Sequence, residues 1–193
     1  MAPAARGGRT WWALLACLLA SLWLCGPARA SKARNAAILA RVLSFELTLE
    51  ERAGASVVVA VVYKRGDPRS EANADEWLDA LKSLSSVHIK DRPFSAIKVP
   101  YASADLIAAI DRGGADVLLV ADGLTAELNA IAQLARSRHV LTASNGVADV
   151  ASALTLCVTE EGDKTKIVVN LNAARLEGIR FSSNLLKLAT IVR

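Results

Sequence analysis

Residues 166–193 read KIVVNLNAARLEGIRFSSNLLKLATIVR, and this closing stretch decides the fold. Its first six residues are β-branched or apolar at most positions, with Ile167, Val169 and Leu171 on one face, which predicts a strand over 166–171. Asn172 is placed to cap a short helix over 173–177, since an asparagine side chain accepts from the free amides of a first turn. Gly178 stands where such a helix ends in left-handed backbone. Ile179 and Phe181 then return apolar side chains to a core. Ser182 or Ser183 caps a final helix in which Leu185, Leu188, Ala189 and Val192 recur at helical spacing. On that reading Leu188→Ala removes a packed side chain and costs about 2–5 kcal/mol.

Working backwards from this unit, residues 153–158 and 166–171 pair as a hairpin around Glu160-Glu161-Gly162-Asp163. Three strands precede it: SVVVAVVY over 56–63, then 116–121 and 140–143. The first is a continuous β-branched run, the mark of a strand covered on both faces. Between the strands lie helix patterns over 74–84, 104–112 and 126–136, with a further helix at 33–46. Asn73 with Glu76 forms a capping box for 74–84, a helix that buries Trp77, Leu78 and Leu81. Ser103 caps 104–112, which Gly113-Gly114 ends. Residues 87–90 and 95–99 flank Asp91-Arg92-Pro93 as a short hairpin. Residues 64–73 are a polar loop, and Ser144-Asn145-Gly146 is a turn. Strands alternating with helices of this length imply right-handed crossovers. The expectation is a single α/β domain with a mainly parallel sheet flanked by helices, closed by a C-terminal β-hairpin and an amphipathic helix.

The first thirty residues read differently. Arg6 and Arg9 precede an apolar run over 11–25, and Ala28-Arg29-Ala30 is a small-x-small cleavage site. The run falls short of the roughly twenty residues a membrane span needs. A signal peptide over 1–30, cleaved to leave a domain over 31–193, is the expectation; an uncleaved anchor is the alternative. Lipidation at Cys25 is disfavoured by bulky Trp23 and Leu24 before it. Three of the 23 basic residues and none of the 19 acidic ones lie in the leader, so twenty bases face nineteen acids in the mature chain, a net charge of +1. That balance carries no electrostatic footprint for nucleic acid. Cys17 and Cys25 leave with the leader, and Cys157 remains alone in an apolar strand, so the mature chain forms no internal disulfide.

The closing stretch resembles the C-terminal signature of the YfiR/HmsC-type family of periplasmic regulators. The matching residues are Asn170-Leu171, Ala173-Ala174-Arg175, Gly178, and Ser182-Ser183 followed by Leu185-Leu186 and Leu188-Ala189. A Val-Val-Tyr-Lys strand end at 61–64 agrees more loosely. The resemblance implies a regulator that binds and restrains the periplasmic domain of an inner-membrane signalling enzyme, often a diguanylate cyclase that makes cyclic di-GMP, or else a sensor kinase. It also implies an outer-membrane lipoprotein as a further partner. Two departures bear on it. Members carry an aromatic-rich segment near the end of the first helix, where this chain has Phe45 alone. Members with cysteine pairs use a redox control that cannot carry over to a lone Cys157.

The residues offer no catalytic set. His88 and His139 are the only histidines, and with Cys157 they lack the local spacing of a zinc site. Ser182-Ser183 lacks the Gly-x-Ser-x-Gly elbow, and no Gly-x-Gly-x-x-Gly cradles a phosphate. The expectation is a protein that is not an enzyme and holds no cofactor or metal. Asn170, Arg175 and Asn184 stand out as polar positions near the end. Asn170, Arg175, Phe181 and Trp77 are the candidate partner-binding residues, since arginine and aromatic anchors carry most interface energy. The structural alternative is that Asn170 bonds backbone and Arg175 lies on the surface. A different functional class is a small-molecule module like one lobe of a periplasmic binding protein, with residues 63–73 and Asp122-Gly123 lining its cleft. The apolar edge of the last helix offers a surface for a homodimer.

Overall fold

A computed structural model of the chain describes residues 27–162 and 164–192, with side chains from residue 31 onward. The leader expected over 1–30 lies almost wholly outside the described residues, as do Asp163 of the closing turn and Arg193.

Among the described residues the order is α1 (Pro27–Ser44), α2 (Leu49–Arg52), β1 (Val57–Tyr63), α3 (Pro68–Lys82), β2 (His88–Ile89), β3 (Arg92–Pro100), α4 (Ser103–Asp111) and β4 (Ala115–Val120). A 3-10 turn (Thr125–Glu127) leads into α5 (Leu128–Arg138), followed by β5 (Leu141–Ser144), α6 (Val147–Ser152), β6 (Leu156–Glu161), β7 (Lys164–Asn170), α7 (Leu171–Glu177), α8 (Ser183–Leu188) and β8 (Thr190–Val192). The eight strands form one sheet in the order β2-β3-β1-β4-β5-β6-β7-β8. Only β2–β3 and β6–β7 pair antiparallel. The expected mixed α/β domain with a mainly parallel sheet is therefore the fold of this chain.

The central strands β1, β4 and β5 are buried on both sides, as unbroken apolar runs require. Val57, Val59 and Val61 of β1 pack into one core with α1, α3 and the C-terminal unit. Ala60 and Val62 point into a second core built on α4, α5 and α6. β1 has β3 on one side and β4 on the other, both parallel, so the winding reverses there. Such a reversal opens a crevice at the carboxyl ends of the strands. The β2–β3 hairpin turns through Lys90 and Asp91, whose φ values of 50° and 64° suit the strand twist.

Several local expectations are corrected. α3 starts at Pro68, six residues early, because Asp67 caps it by accepting from the Arg69 and Ser70 amides while Pro68 fills the first helical turn. The Asn73–Glu76 capping box does not form; Asn73 lies inside the helix. Ser103 does not cap α4, whose N-cap is Ala102 with no side-chain bond. α2 and α6, of four and six residues, were not anticipated.

The last correction is the largest. The expected helix through Val192 ends at Leu188, and Ala189 is extended (φ −95°, ψ 149°). Thr190, Ile191 and Val192 instead pair parallel with Val168, Val169 and Asn170. β-branched residues next to an open strand edge gain ladder hydrogen bonds that a frayed helix turn lacks. Leu188 is consequently 76% exposed, so it is no core residue.

Candidate functional site

The C-terminal signature is built at the amino ends of β5 and β6. β7 runs antiparallel to β6, and its last residue, Asn170, donates its amide to the Thr155 carbonyl just before β6 begins (2.9 Å). The Asn170 side chain then does two things. Its Oδ1 accepts from the Ala173 amide (3.0 Å), capping α7, and its Nδ2 donates to the Val150 carbonyl (2.9 Å). Asn170 rather than Asn172 is thus the cap. It is buried, so its role is to fix α7 rather than to meet a partner. Gly178 ends α7 with φ 77°, as the sequence predicts. Ser182 caps α8 by accepting from the Leu185 amide.

A buried carboxylate locks α7 down. Glu177 is 0% exposed and accepts from the Thr142 amide (3.1 Å), the Thr142 hydroxyl (2.6 Å) and the Thr155 hydroxyl (2.7 Å). Burial pushes its carboxyl up to about 7, and the three donors offset only part of that cost. A second buried acid, Glu46, accepts from the Thr48 amide (2.6 Å) and hydroxyl and pairs with Arg52 (2.7 Å). Arg52 also donates to the Asp116 and His139 carbonyls. Around Glu46 the chain runs beside the signature: Leu47 donates to the Arg180 carbonyl (2.7 Å), and Ser182 to the Phe45 carbonyl (2.9 Å). Sequence reasoning missed Glu177 and Glu46. One signal was available for Glu177: an acid in the last turn of a helix opposes the helix dipole and needs another reason to be there.

Between these braces lies a groove of about 490 Å³, floored by Ala174, Ile179, Phe181 and Leu186 and walled by Leu47, Arg175 and Arg180. Leu47 is 49% exposed. The structure brings Arg175 and Phe181 together in this groove, Arg175 exposed and Phe181 buried in the floor. Trp77 is elsewhere and only 1% exposed, packed in the core with Lys32 above its ring (5.0 Å to the centroid). A side chain so enclosed offers no surface, which removes Trp77 from the anchors. Asn184 is exposed at the start of α8.

A second cleft, of about 440 Å³, opens at the opposite, carboxyl ends of β1, β4 and β5. Asp67, Arg69, Asp122, Gly123, Thr125 and Asp149 line it. Asn73 donates to Asp122 (3.1 Å), which fixes the turn after β4. Burial raises the Asp149 carboxyl, an effect the Ser144 hydroxyl opposes and the Asp122 charge reinforces. Of the segment expected as a loop over 63–73, Asp67 and Arg69 meet the Asp122-Gly123 turn here, while residues from Pro68 onward are helix.

Among the described residues the histidines and the cysteine are scattered. His88 is exposed on β2, while His139 caps α5 in left-handed backbone (φ 55°) and sits against Gly178. Cys157 is buried, and desolvation pushes its thiol up to about 12, so it stays protonated. Among the described residues no three His, Cys, Asp or Glu side chains are grouped to hold a metal ion. Among the same residues no helix is long and apolar enough to cross a membrane.

The described residues form a doubly wound sheet with an apolar groove at one end of its strands and a polar cleft at the other. The YfiR/HmsC-like family matches the chain over residues 32–190, and the chain belongs to that family, whose members are regulators rather than enzymes. No curated protein matches it. Solved structures show the fold again. A conserved domain protein from Vibrio cholerae is similar with a TM-score of 0.58 at 14% identity, over 84% of this chain and 60% of that one. A substrate-binding protein with adhesive properties from Clostridium difficile, in its ligand-free open form, gives 0.55 at 17%, over 76% and 57%. A Streptococcus pneumoniae ABC domain in complex with L-Trp gives 0.53 at 13%, over 79% and 60%. The chain thus spans about three fifths of the length of each.

Proposed function

We propose that this chain is a non-enzymatic regulator of the periplasm, exported by a leader cleaved after Ala30. It binds the periplasmic domain of an inner-membrane diguanylate cyclase or sensor kinase and holds that enzyme in its inactive state. The chemistry lies in the partner, and the regulator contributes only a difference in affinity for the partner's two states. One observation supports this above the rest. Within the family match, the signature's Asn170 is buried and fixes α7, while its Arg175 is exposed on the groove wall. An outer-membrane lipoprotein is the further partner, competing for the regulator. A second copy pairing along β8 and Leu188 would leave the groove free.

The test is reconstitution. The tagged chain is cross-linked in membranes, the captured enzyme is identified by its cyclase or kinase domain, and its turnover in proteoliposomes is measured with and without the chain. Turnover should fall as the chain saturates. Unchanged turnover by a captured cyclase or kinase counts against restraint, and capture of neither enzyme counts against the whole reading.

The carboxyl-end cleft favours a second reading, a small-molecule module like one lobe of a substrate-binding protein. The fold likeness and the position of the cleft at the winding reversal support it. A ligand held there raises the melting temperature by mass action across a panel of amino acids and other metabolites. A flat panel leaves the cleft as a solvated surface.

A further inference from the structure

We infer that the groove at α7 and α8 takes an acidic amphipathic helix of the partner, apolar side chains inward and carboxylates outward onto Arg175 and Arg180. This rests on the regulator reading and specifies its contact. The argument is charge. From Leu171 to Val192 the exposed charged residues are Arg175, Arg180 and Lys187, all positive. The single acid in that span, Glu177, is buried and spent on Thr142 and Thr155. Among the described residues the acid that approaches Arg180 is Glu51, at 3.9 Å with both side chains largely exposed, a contact that water weakens. The floor meanwhile is apolar: Ile179, Phe181 and Leu186, with half-exposed Leu47 on its wall. An apolar trough with one sign of charge on its rim selects a ligand of opposite sign, both in encounter rate and in register.

Other occupants fit less well. A second copy docking face to face would bring two copies of the Arg175 and Arg180 rim together, since a two-fold contact presents the same patch twice. The apolar run over 11–25 of this chain is preceded by Arg6 and Arg9 and followed by Arg29, with no acid among them, so its charge also matches the rim in sign. An anionic membrane suits the charge but not the shape, because Phe181 and Ile179 are recessed in the floor.

Two arms test this. In the first, the mature chain is titrated against fluorescent eighteen-residue amphipathic peptides, one with leucine on one face and glutamate on the other, one with lysine in place of glutamate. The acidic peptide should bind at least tenfold tighter, with affinity falling as salt rises, and Arg175→Glu with Arg180→Glu should remove at least tenfold. Leu47→Asp should do the same while all variants keep the wild-type melting temperature. Equal binding of the two peptides, or no loss in the double variant, overturns the proposal, as does tight binding to phosphatidylglycerol vesicles lost in the same variants. In the second arm the double variant replaces wild type in the reconstituted membrane assay. Restraint retained in full by the double variant overturns the groove contact and leaves the regulator reading standing. Absence of restraint by wild type overturns the regulator reading, while the peptide arm still decides the groove.

Discussion

The two ends of the parallel strands place their acidic side chains in opposite situations. At the amino ends, Glu177 and Glu46 are fully buried and saturated with donors from Thr142, Thr155, Thr48 and Arg52. At the carboxyl ends, Asp67 and Asp122 sit in turns and bond to backbone amides or to Asn73. Buried acids of the first kind hold elements in place, and removing them leaves stranded donors. Acids of the second kind shape loops and remain available to solvent. The groove is therefore braced by buried acids and the cleft lined by partly exposed ones, a contrast that suits a protein contact at the first and at most a small ligand at the second.

The largest effect should come from Glu177→Ala. Losing the carboxylate strands two threonine hydroxyls and an amide, and the expected cost is about 3 kcal/mol in denaturant titration at pH 6. A loss under about 1 kcal/mol would mean α7 is not held by this network. The same residue makes stability depend on pH. Its carboxyl titrates near 7 when folded, against an ordinary 4.5. The folded state therefore holds the proton more tightly, so this contribution is complete below about pH 4.5 and is lost as pH rises toward 7. Relative to Glu177→Gln, wild-type stability should fall between those values with a slope of up to about 1.4 kcal/mol per pH unit. Parallel pH curves for the two proteins would contradict this.

At the other end, Asp67→Ala should cost about 1 kcal/mol, the ordinary value of a helix cap, with α3 still formed. A loss as large as that of Glu177→Ala would erase the contrast between the ends. Smallest of all, Leu188→Ala should change stability by less than about 0.5 kcal/mol, because the side chain faces solvent.

That last value shows where the sequence was legible and where it was not. The buried strands were plain from unbroken β-branched runs, since both faces of β1 are covered. Gly178 and a serine cap at 182 or 183 were plain because their roles follow from local backbone chemistry, and Ser182 is the one that caps. Residues 189–192 were misread as helix: the spacing of Leu185, Leu188 and Val192 fits a helix, but the open edge of β7 decides the outcome. An edge is a tertiary fact that local periodicity does not carry. Asp67-Pro68 was misplaced for a different reason, since Gly-Asp-Pro is a turn signal and a helix start at once. Of the candidate site, Arg175 and Phe181 came together, while Trp77 went to the core because a large aromatic on an amphipathic helix is the side chain most rewarded by burial. Glu177 left only its place in the last helical turn as a signal, since Thr142 and Thr155 are distant in sequence, whereas Glu46 was missed although Thr48 and Arg52 lie close to it.

The most direct test compares the two ends in one experiment. A photo-cross-linking residue is introduced at Leu47 on the groove wall or at Thr125 in the cleft, and each full-length variant is irradiated in native membranes. The account expects a cross-link from position 47 to the cyclase or kinase and none from position 125. A cross-link to that enzyme from position 125 alone would contradict it.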